Sequence, residues 1–446
     1  MHIHEVDTHR RGADDYLFSR GAAWFALLMT LGLMVFDYID RQVIVSLFPY
    51  LKAAWGVSDT QLGVLVSVVS ITVAVGAVPI ALFADRASRV KSIVLMALIW
   101  SLATISCMFT RNYSQLLTAR SIVGLGEAGY GSVGGALIAT HFPARMRGAV
   151  LGGFLATASV GSVLGVMLGG LIASRWGWEA AFGVVGFPGL ALALLYLMVR
   201  DYRTVELTPK LDKATQSMSD AVRHIVNILA HSRTILWICI GGAAQLIVVS
   251  AVWAWLPSFF NRAYGIDPAE AGVKAAVVVL AGAIGSVAWG AVVDRVGTYR
   301  PRAKFSALSL LCIASLVILM LAFGTHRLGL SLSPGLQFAL VALGGFMMTC
   351  TVGPTAAIVI DVVHPGVRAT GCSILALFQN MFGLALGPFI AGLFSDAWGL
   401  ETALFVMPLF GAIAAVSFVI AGGSYESEKQ RANELSAPIA QAEAFA

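Results

Sequence analysis

Five ionisable residues stand inside stretches of the chain that are otherwise apolar. Asp37, Asp40 and Arg41 lie in AAWFALLMTLGLMVFDYIDRQVIVSL, and Arg120 and Glu127 lie in NYSQLLTARSIVGLGEAGYGSVGGALIAT. A charge in hydrocarbon is costly and is found mainly where it faces a wet or protein-lined interior. Arg120 and Glu127 are separated by close to two helical turns, so on a helix they share a face, roughly 10 Å apart along the axis. Asp37 and Arg41 share a face by the same argument, with Asp40 one turn from Asp37. Counting along each helix from its presumed end puts Asp37 nearer the level of Arg120 than of Glu127. The count therefore predicts an Asp37–Arg120 pair, a deeper Glu127, and Asp40 with Arg41 near the outer mouth as a gate or helix-end contact. Desolvation disfavours an ionised carboxylate and a neighbouring guanidinium favours it, so a carboxylate moved between dry and wet surroundings can load and unload a proton. Asp37 and Glu127 are the candidates for that step, with Arg120 as the competing cation or the anchor for an anionic solute. The plain alternative is a set of structural ions that pin helices together, with Asp40–Arg41 an interfacial pair.

The elements that must position these residues follow from composition. The chain has 446 residues, 58% hydrophobic and 12% charged, with mean hydropathy +0.83. Soluble domains carry about 25% charged residues, so this is the composition of a polytopic membrane protein. The first span is read from Ala22 to about Leu47, followed by a loop LKAAWGVSDTQ in which Ser58-Asp59-Thr60 caps a second helix reaching Ala84. Further spans are read at about 91–110, 114–140, 147–174, 179–199, 234–260, 270–293, 303–323, 335–361, 368–395 and 401–422. The predicted fold is thus an all-α membrane protein of two six-helix halves, 22–200 and 234–422. A polar segment 1–21 precedes them, a linker 201–233 joins them and a tail 423–446 follows. Ser219 to Leu229 has amphipathic spacing suited to a membrane surface, and the tail is expected to be mostly disordered.

Three features repeat between the halves in the same order. Trp176-Gly177 with Glu179 recurs as Trp398-Gly399 with Glu401, Pro143 as Pro365, and Asp85-Arg86 as Asp294-Arg295. Duplicated halves of this kind normally move against each other around a central site. Of the 29 Lys and Arg, only Lys52, Arg111, Arg175, Arg262 and Arg327 fall outside when both termini are placed inside, which sets the orientation. No apolar core of a secretory signal precedes the first span. The five cysteines show no CxxC pair or His/Cys cluster, so neither a metal nor a cofactor is expected, and no nucleophile–base constellation suggests an enzyme. The second half carries no acidic residue near a midplane. Its Gln245, Trp253, Phe346, Met347, Phe378 and Asn380 are candidates to line an apolar, weakly polar wall. Charge on one side and aromatic or thioether surface on the other would suit an amphiphile. An organic anion or a sugar is the alternative solute, and a non-transporting receptor or scaffold is the alternative of another class. Protons and the bilayer are the other expected partners, with no nucleic acid, in a cell membrane and as a monomer.

The turn ALFADRASRVK, residues 81–91, resembles the signature between the second and third helices of the major facilitator superfamily, with Ala81 and Ser88 where that pattern has glycine and Val90 at one basic position. Its counterpart GAVVDRVGTYR, residues 290–300, keeps Gly290, Asp294, Arg295 and Gly297. The resemblance implies a cytoplasmic latch built from Asp85, Arg86, Arg89, Arg147, Asp294, Arg295 and Arg300. ARSIVGLGEA, residues 119–128, resembles the family's fourth-helix arginine motif. FDYIDRQVIVSLFP, WGVSDTQLGVL and GLGEAGYG together resemble its Spinster-like branch. That likeness implies a proton-coupled secondary transporter in which the first-helix acid and the fourth-helix Glu serve coupling; eukaryotic members of the branch export sphingosine phosphate or lysophospholipids, and an amphiphile, an organic anion or another small solute stays open as the substrate here.

Overall fold

In the computed structural model, residues 16–86, 88–201, 232–325, 327, 329, 332–363 and 368–444 are described. Among them, twelve helical stretches are long and apolar enough to cross a membrane. The described residues fall into two compact units, one drawn from Met1–Glu206 and Ala254–Leu280, the other from Leu207–Trp253 and Ala281–Ala446.

The first unit contains α1 (Arg20–Trp55), α2 (Asp59–Arg86), α3 (Arg89–Cys107), α4 (Tyr113–Glu127), α5 (Tyr130–His141), α6 (Ala144–Trp176) and α7 (Trp178–Leu195). Helix α1 runs eight residues past the end read from sequence, through Pro49, and the expected loop shrinks to Gly56–Ser58. Gly56, at φ 63°, closes α1 by donating its N–H to the Lys52 carbonyl. Ser58 opens α2 with a reciprocal pair of bonds. Its hydroxyl accepts from Gln61 N–H at 3.2 Å and its own N–H donates to Gln61 Oε1 at 3.0 Å. The span read as one helix over 114–140 is broken: α4 stops at Glu127, and Gly129 takes φ 85°, a conformation open to glycine, before α5 starts.

The second half continues with α8 (Arg233–Tyr264), α9 (Pro268–Tyr299), α10 (Ala303–Phe323), α11 (Pro334–Met348), α12 (Val352–Val362), α13 (Arg368–Phe378), α14 (Leu386–Trp398), α15 (Leu400–Val406) and α16 (Phe410–Ala444). The tenth span breaks between α11 and α12 at Thr349–Thr351, and the eleventh carries a π-helical turn, Gln379–Leu384, between α13 and α14. The duplication is visible in the backbone. Gly177 and Gly399 adopt the same rare conformation, φ 86° ψ 159° and φ 84° ψ 154°, each between the two helices of its repeat. The tail is not disordered as composition suggested. It continues α16 to Ala444, in keeping with its Ala, Glu and Gln content. The stretch Ser219 to Leu229 and Pro365 lie outside the described residues.

Each unit has its own apolar core. One centres on Leu33, Ile93, Trp100, Tyr130 and Phe154, the other on Phe305, Leu308, Ile358, Phe418 and Tyr425. The cysteines are free, and all but Cys372 are buried.

Candidate functional site

Helix α1 is held in rotation by a row of glycines on α6. A Cβ on Gly161, Gly165 or Gly169 would lie 2.5–2.7 Å from the carbonyls of Val35, Ile39 and Val43, so the two backbones are in contact. Helix α4 is held in the same way by Gly124 against Val69 and Thr72 of α2, and by Gly126 against Trp100 of α3. With those faces committed, Arg120 and Glu127 meet α1, and Tyr130 fixes the broken helix below them by donating its hydroxyl to the Thr30 carbonyl at 2.7 Å.

The charged residues sort into two groups. In the first, Arg120 Nη1 donates to Asp40 Oδ1 at 3.0 Å and to the Asp40 carbonyl at 3.3 Å. Both side chains are only 1% exposed. The other carboxylate oxygen of Asp40 accepts the Thr104 hydroxyl of α3 at 2.5 Å. In the second group, Arg41 Nε donates to Asp37 Oδ1 at 2.9 Å, and the same nitrogen lies 3.0 Å from Glu127 Oε2. A guanidinium Nε carries one hydrogen, and here it points at Asp37. Among the described residues, no donor bonds either buried Glu127 oxygen, so this carboxylate has a cation beside it and no hydrogen bond to its lone pairs. Glu127 is also the last residue of α4, where the negative end of the helix dipole opposes a further negative charge.

One sequence expectation is corrected: the partner of Arg120 is Asp40 rather than Asp37. Asp40 and Arg41 lie near the middle of the 36-residue α1, with Asp40 1% exposed. One Asp40 oxygen is thus taken by Thr104 and the other by Arg120.

Other predicted residues are placed as follows. The side chains of Asp85 and Arg86 lie outside the described residues. Arg89 begins α3, and Arg147 Nε donates to the Phe142 carbonyl at 3.3 Å. Asp294, Arg295 and Arg300 are exposed and form no ion pair with one another among the described residues. In the second unit, Gln245 is fully buried and donates Nε2 to the Met348 carbonyl at 2.9 Å, and Met347 belongs to the core. Phe346 and Phe378 are partly buried, against Trp289 and Phe382 at 5.5 and 5.3 Å. Trp253 is half-buried, and Asn380 on the π turn donates to the Ala376 carbonyl.

Sequence reasoning missed Thr104 and two ion clusters. In the first unit Asp59, with a side chain 3% exposed, accepts Lys52 Nζ at 2.6 Å and both terminal nitrogens of Arg262 at 2.6 and 2.8 Å. In the second unit Lys304 Nζ lies 2.7 Å from Asp361 Oδ2 and from Tyr425 Oη, and Tyr425 donates to the same carboxylate at 2.6 Å. Lys304 could have been singled out, since a charged residue one position into an apolar helix invites a partner. Asp59 and Thr104 carry no such mark.

A model of the Major Facilitator Superfamily matches residues 30–380 and 238–444. The chain belongs to this superfamily. It is a multi-pass membrane protein with a secondary transporter's fold, and no enzyme activity is part of that fold. Among curated relatives, spinster homolog 3 of Danio rerio is 23% identical over 447 residues, covering 94% of this chain and 88% of the relative. A gallate transporter of Pseudomonas putida is 26% identical over 432 residues, covering 90% and 92%. Against two further curated relatives the chain spans about half their length, 53% and 47%. Among solved structures, an inward-facing, occupied bacterial homolog of the human lysosomal transporter Spinster aligns with TM-score 0.80 at 21% identity, over 92% of this chain and 99% of that one.

Proposed function

We propose that this superfamily member is a proton-coupled secondary transporter in which Glu127 carries the proton and Arg41 is the cation it exchanges with. The carrying observation is a count of charges around one buried site. Among the described residues, Asp37, Asp40 and Glu127 form ion pairs only with Arg41 and Arg120, so with all five ionised the cluster bears one uncompensated negative charge. A buried charge without a partner is far more costly than a bound proton, and Glu127, lacking any hydrogen-bond donor, is where that proton is best accommodated. Protonated Glu127 leaves Arg41 to Asp37; ionised Glu127 competes for it. The grip between α1 and α4 then depends on the proton, and a solute that binds one arrangement better than the other is driven by it.

Alternating access would move the six-helix halves 22–200 and 234–422 against each other, with Asp85, Arg86, Arg89, Arg147, Asp294, Arg295 and Arg300 as a cytoplasmic latch. An amphiphilic lipid, such as a lysophospholipid or sphingoid, is the substrate class this reading favours. The likeness to spinster homolog 3 supports it, as does the partly exposed Arg41, a cation suited to a polar headgroup. The gallate transporter among the relatives supports a second reading, an organic anion. Against it, both guanidiniums are already matched by carboxylates. Transport into reconstituted vesicles tests the proposal. Glu127→Gln should fold and lose movement driven by a pH gradient, and retained gradient-driven flux would refute it. A panel of lysophospholipids, sphingoids, aromatic acids and hexoses decides the substrate class, and strict selection of hexoses would reject the lipid reading.

A further inference from the structure

Asp40 raises a question that the coupling reading leaves open. Three carboxylates compete for one buried proton, and Asp40 is as deeply buried as Glu127. What separates them is the number of donors. Asp40 Oδ1 takes Arg120 Nη1 at 3.0 Å and Oδ2 takes the Thr104 hydroxyl at 2.5 Å, whereas neither Glu127 oxygen takes any. Donors to a carboxylate stabilise its ionised form. Thr104 is 1% exposed on α3, and α3 is packed against α4 where the Trp100 backbone meets Gly126, so the backbone that carries its short side chain is held in place.

We propose that Thr104 is a positioning residue that keeps Asp40 as the permanent counter-ion of Arg120, and so leaves Arg41 alone to answer to the proton on Glu127. The ionisable groups facing Asp40 are Arg120 and, further off, Glu127 on α4, Cys107 beside Thr104 on α3, and Asp37 on α1 itself. With the Thr104 hydroxyl present, Arg120 is occupied on one side by a full negative charge and has no reason to turn toward Glu127. Without it, Asp40 keeps one donor in place of two, becomes a second site for the proton, and Arg120 is freed whenever that site fills. The inference deepens the coupling reading, because it says which carboxylate does not titrate and why.

The test is infrared difference spectroscopy of the full chain reconstituted in lipid, counting buried carboxyl groups that gain a proton as pH falls. Wild type should show one such group, absent in Glu127→Gln and with a band unmoved by carbon-13 labelling of the aspartate carboxyls. Thr104→Val should divide that proton between two bands, the second moved by the aspartate label, and Thr104→Ser should behave as wild type. Thr104→Ala provides the same loss of hydroxyl if the valine does not pack, and the labelled wild type decides the point if neither variant folds. A single unmoved band in Thr104→Val or Thr104→Ala, or a wild-type band moved by the label, overturns the proposal. Persistence of the wild-type group in Glu127→Gln instead overturns the coupling reading, and the count in the Thr104 variants still judges Thr104 on its own.

Discussion

Asp37 and Asp40 are three residues apart on one helix, yet neutralising them should have very different consequences. Asp40→Asn leaves Arg120 charged, 1% exposed and without a counter-ion, since its remaining contact is a backbone carbonyl at 3.3 Å. Breaking a buried pair from one side costs about 3–5 kcal/mol, and the asparagine oxygen, which can still accept from Arg120, places the loss at about 3 kcal/mol. Asp37→Asn leaves Arg41 with Glu127 at 3.0 Å and with a side chain 19% exposed, so its charge keeps a partner and some water. That loss is about 1 kcal/mol, the size of one hydrogen bond. Thermal unfolding followed by tryptophan fluorescence should therefore rank wild type, Asp37→Asn and Asp40→Asn in descending order. For a domain of roughly 200 residues, 1 kcal/mol moves the midpoint by about 2–4 °C, so the two variants should differ by about 4–8 °C. Neutralising both partners, Asp40→Asn/Arg120→Gln, should recover much of the loss, because no orphan charge remains. An Asp37→Asn loss equal to or larger than that of Asp40→Asn would refute the division of these charges into a locked pair and a shared one.

Two further outcomes rest on geometry elsewhere in the first unit. Asp59→Asn removes the common partner of Lys52 and Arg262. The cations are 43% and 33% exposed and can rehydrate, so thermal unfolding should show a loss of only about 1–2 kcal/mol, diminished by added salt, and Lys52→Gln should cost about 0.5 kcal/mol or less. Gly124→Ala should be destabilising by about 1–3 kcal/mol, because its methyl would meet the Val69 carbonyl at 2.7 Å and the Thr72 hydroxyl, while Gly131→Ala, with nothing within 4 Å, should be harmless in the same assay.

The fold was legible because its signals are long. Apolar runs of spanning length, a central polar break and the repeated Trp-Gly turn each survive errors of several residues, and the matching torsions of Gly177 and Gly399 bear the duplication out. The charged residues were legible as a set for the same reason, since few ionisable groups lie inside spans. Their pairing was not. Taking the first helix to end at Leu47 rather than Trp55 moves its reference point by eight residues, about 12 Å, and every height counted from that end moves with it.

Height along a helix was also the wrong coordinate for the choice between Asp37 and Asp40. The two differ by less than 5 Å in height, but their side chains leave the helix about 60° apart in direction, so rotation decides which one reaches Arg120. Rotation of α1 is set by the row Gly161, Gly165 and Gly169 pressed on the Val35, Ile39 and Val43 carbonyls. The row is plain in the sequence, but the helix it presses on is not, because apolar segments offer many equivalent partners. Asp59 makes the same point from the other side. Its place at the start of α2 reads as a capping position, and a capping role alone would leave it exposed at a loop. It is buried because Arg262, distant by 203 residues, covers it with two hydrogen bonds. Local chemistry thus identifies which residues can act, while the rigid glycine contacts between helices determine which of them act on each other.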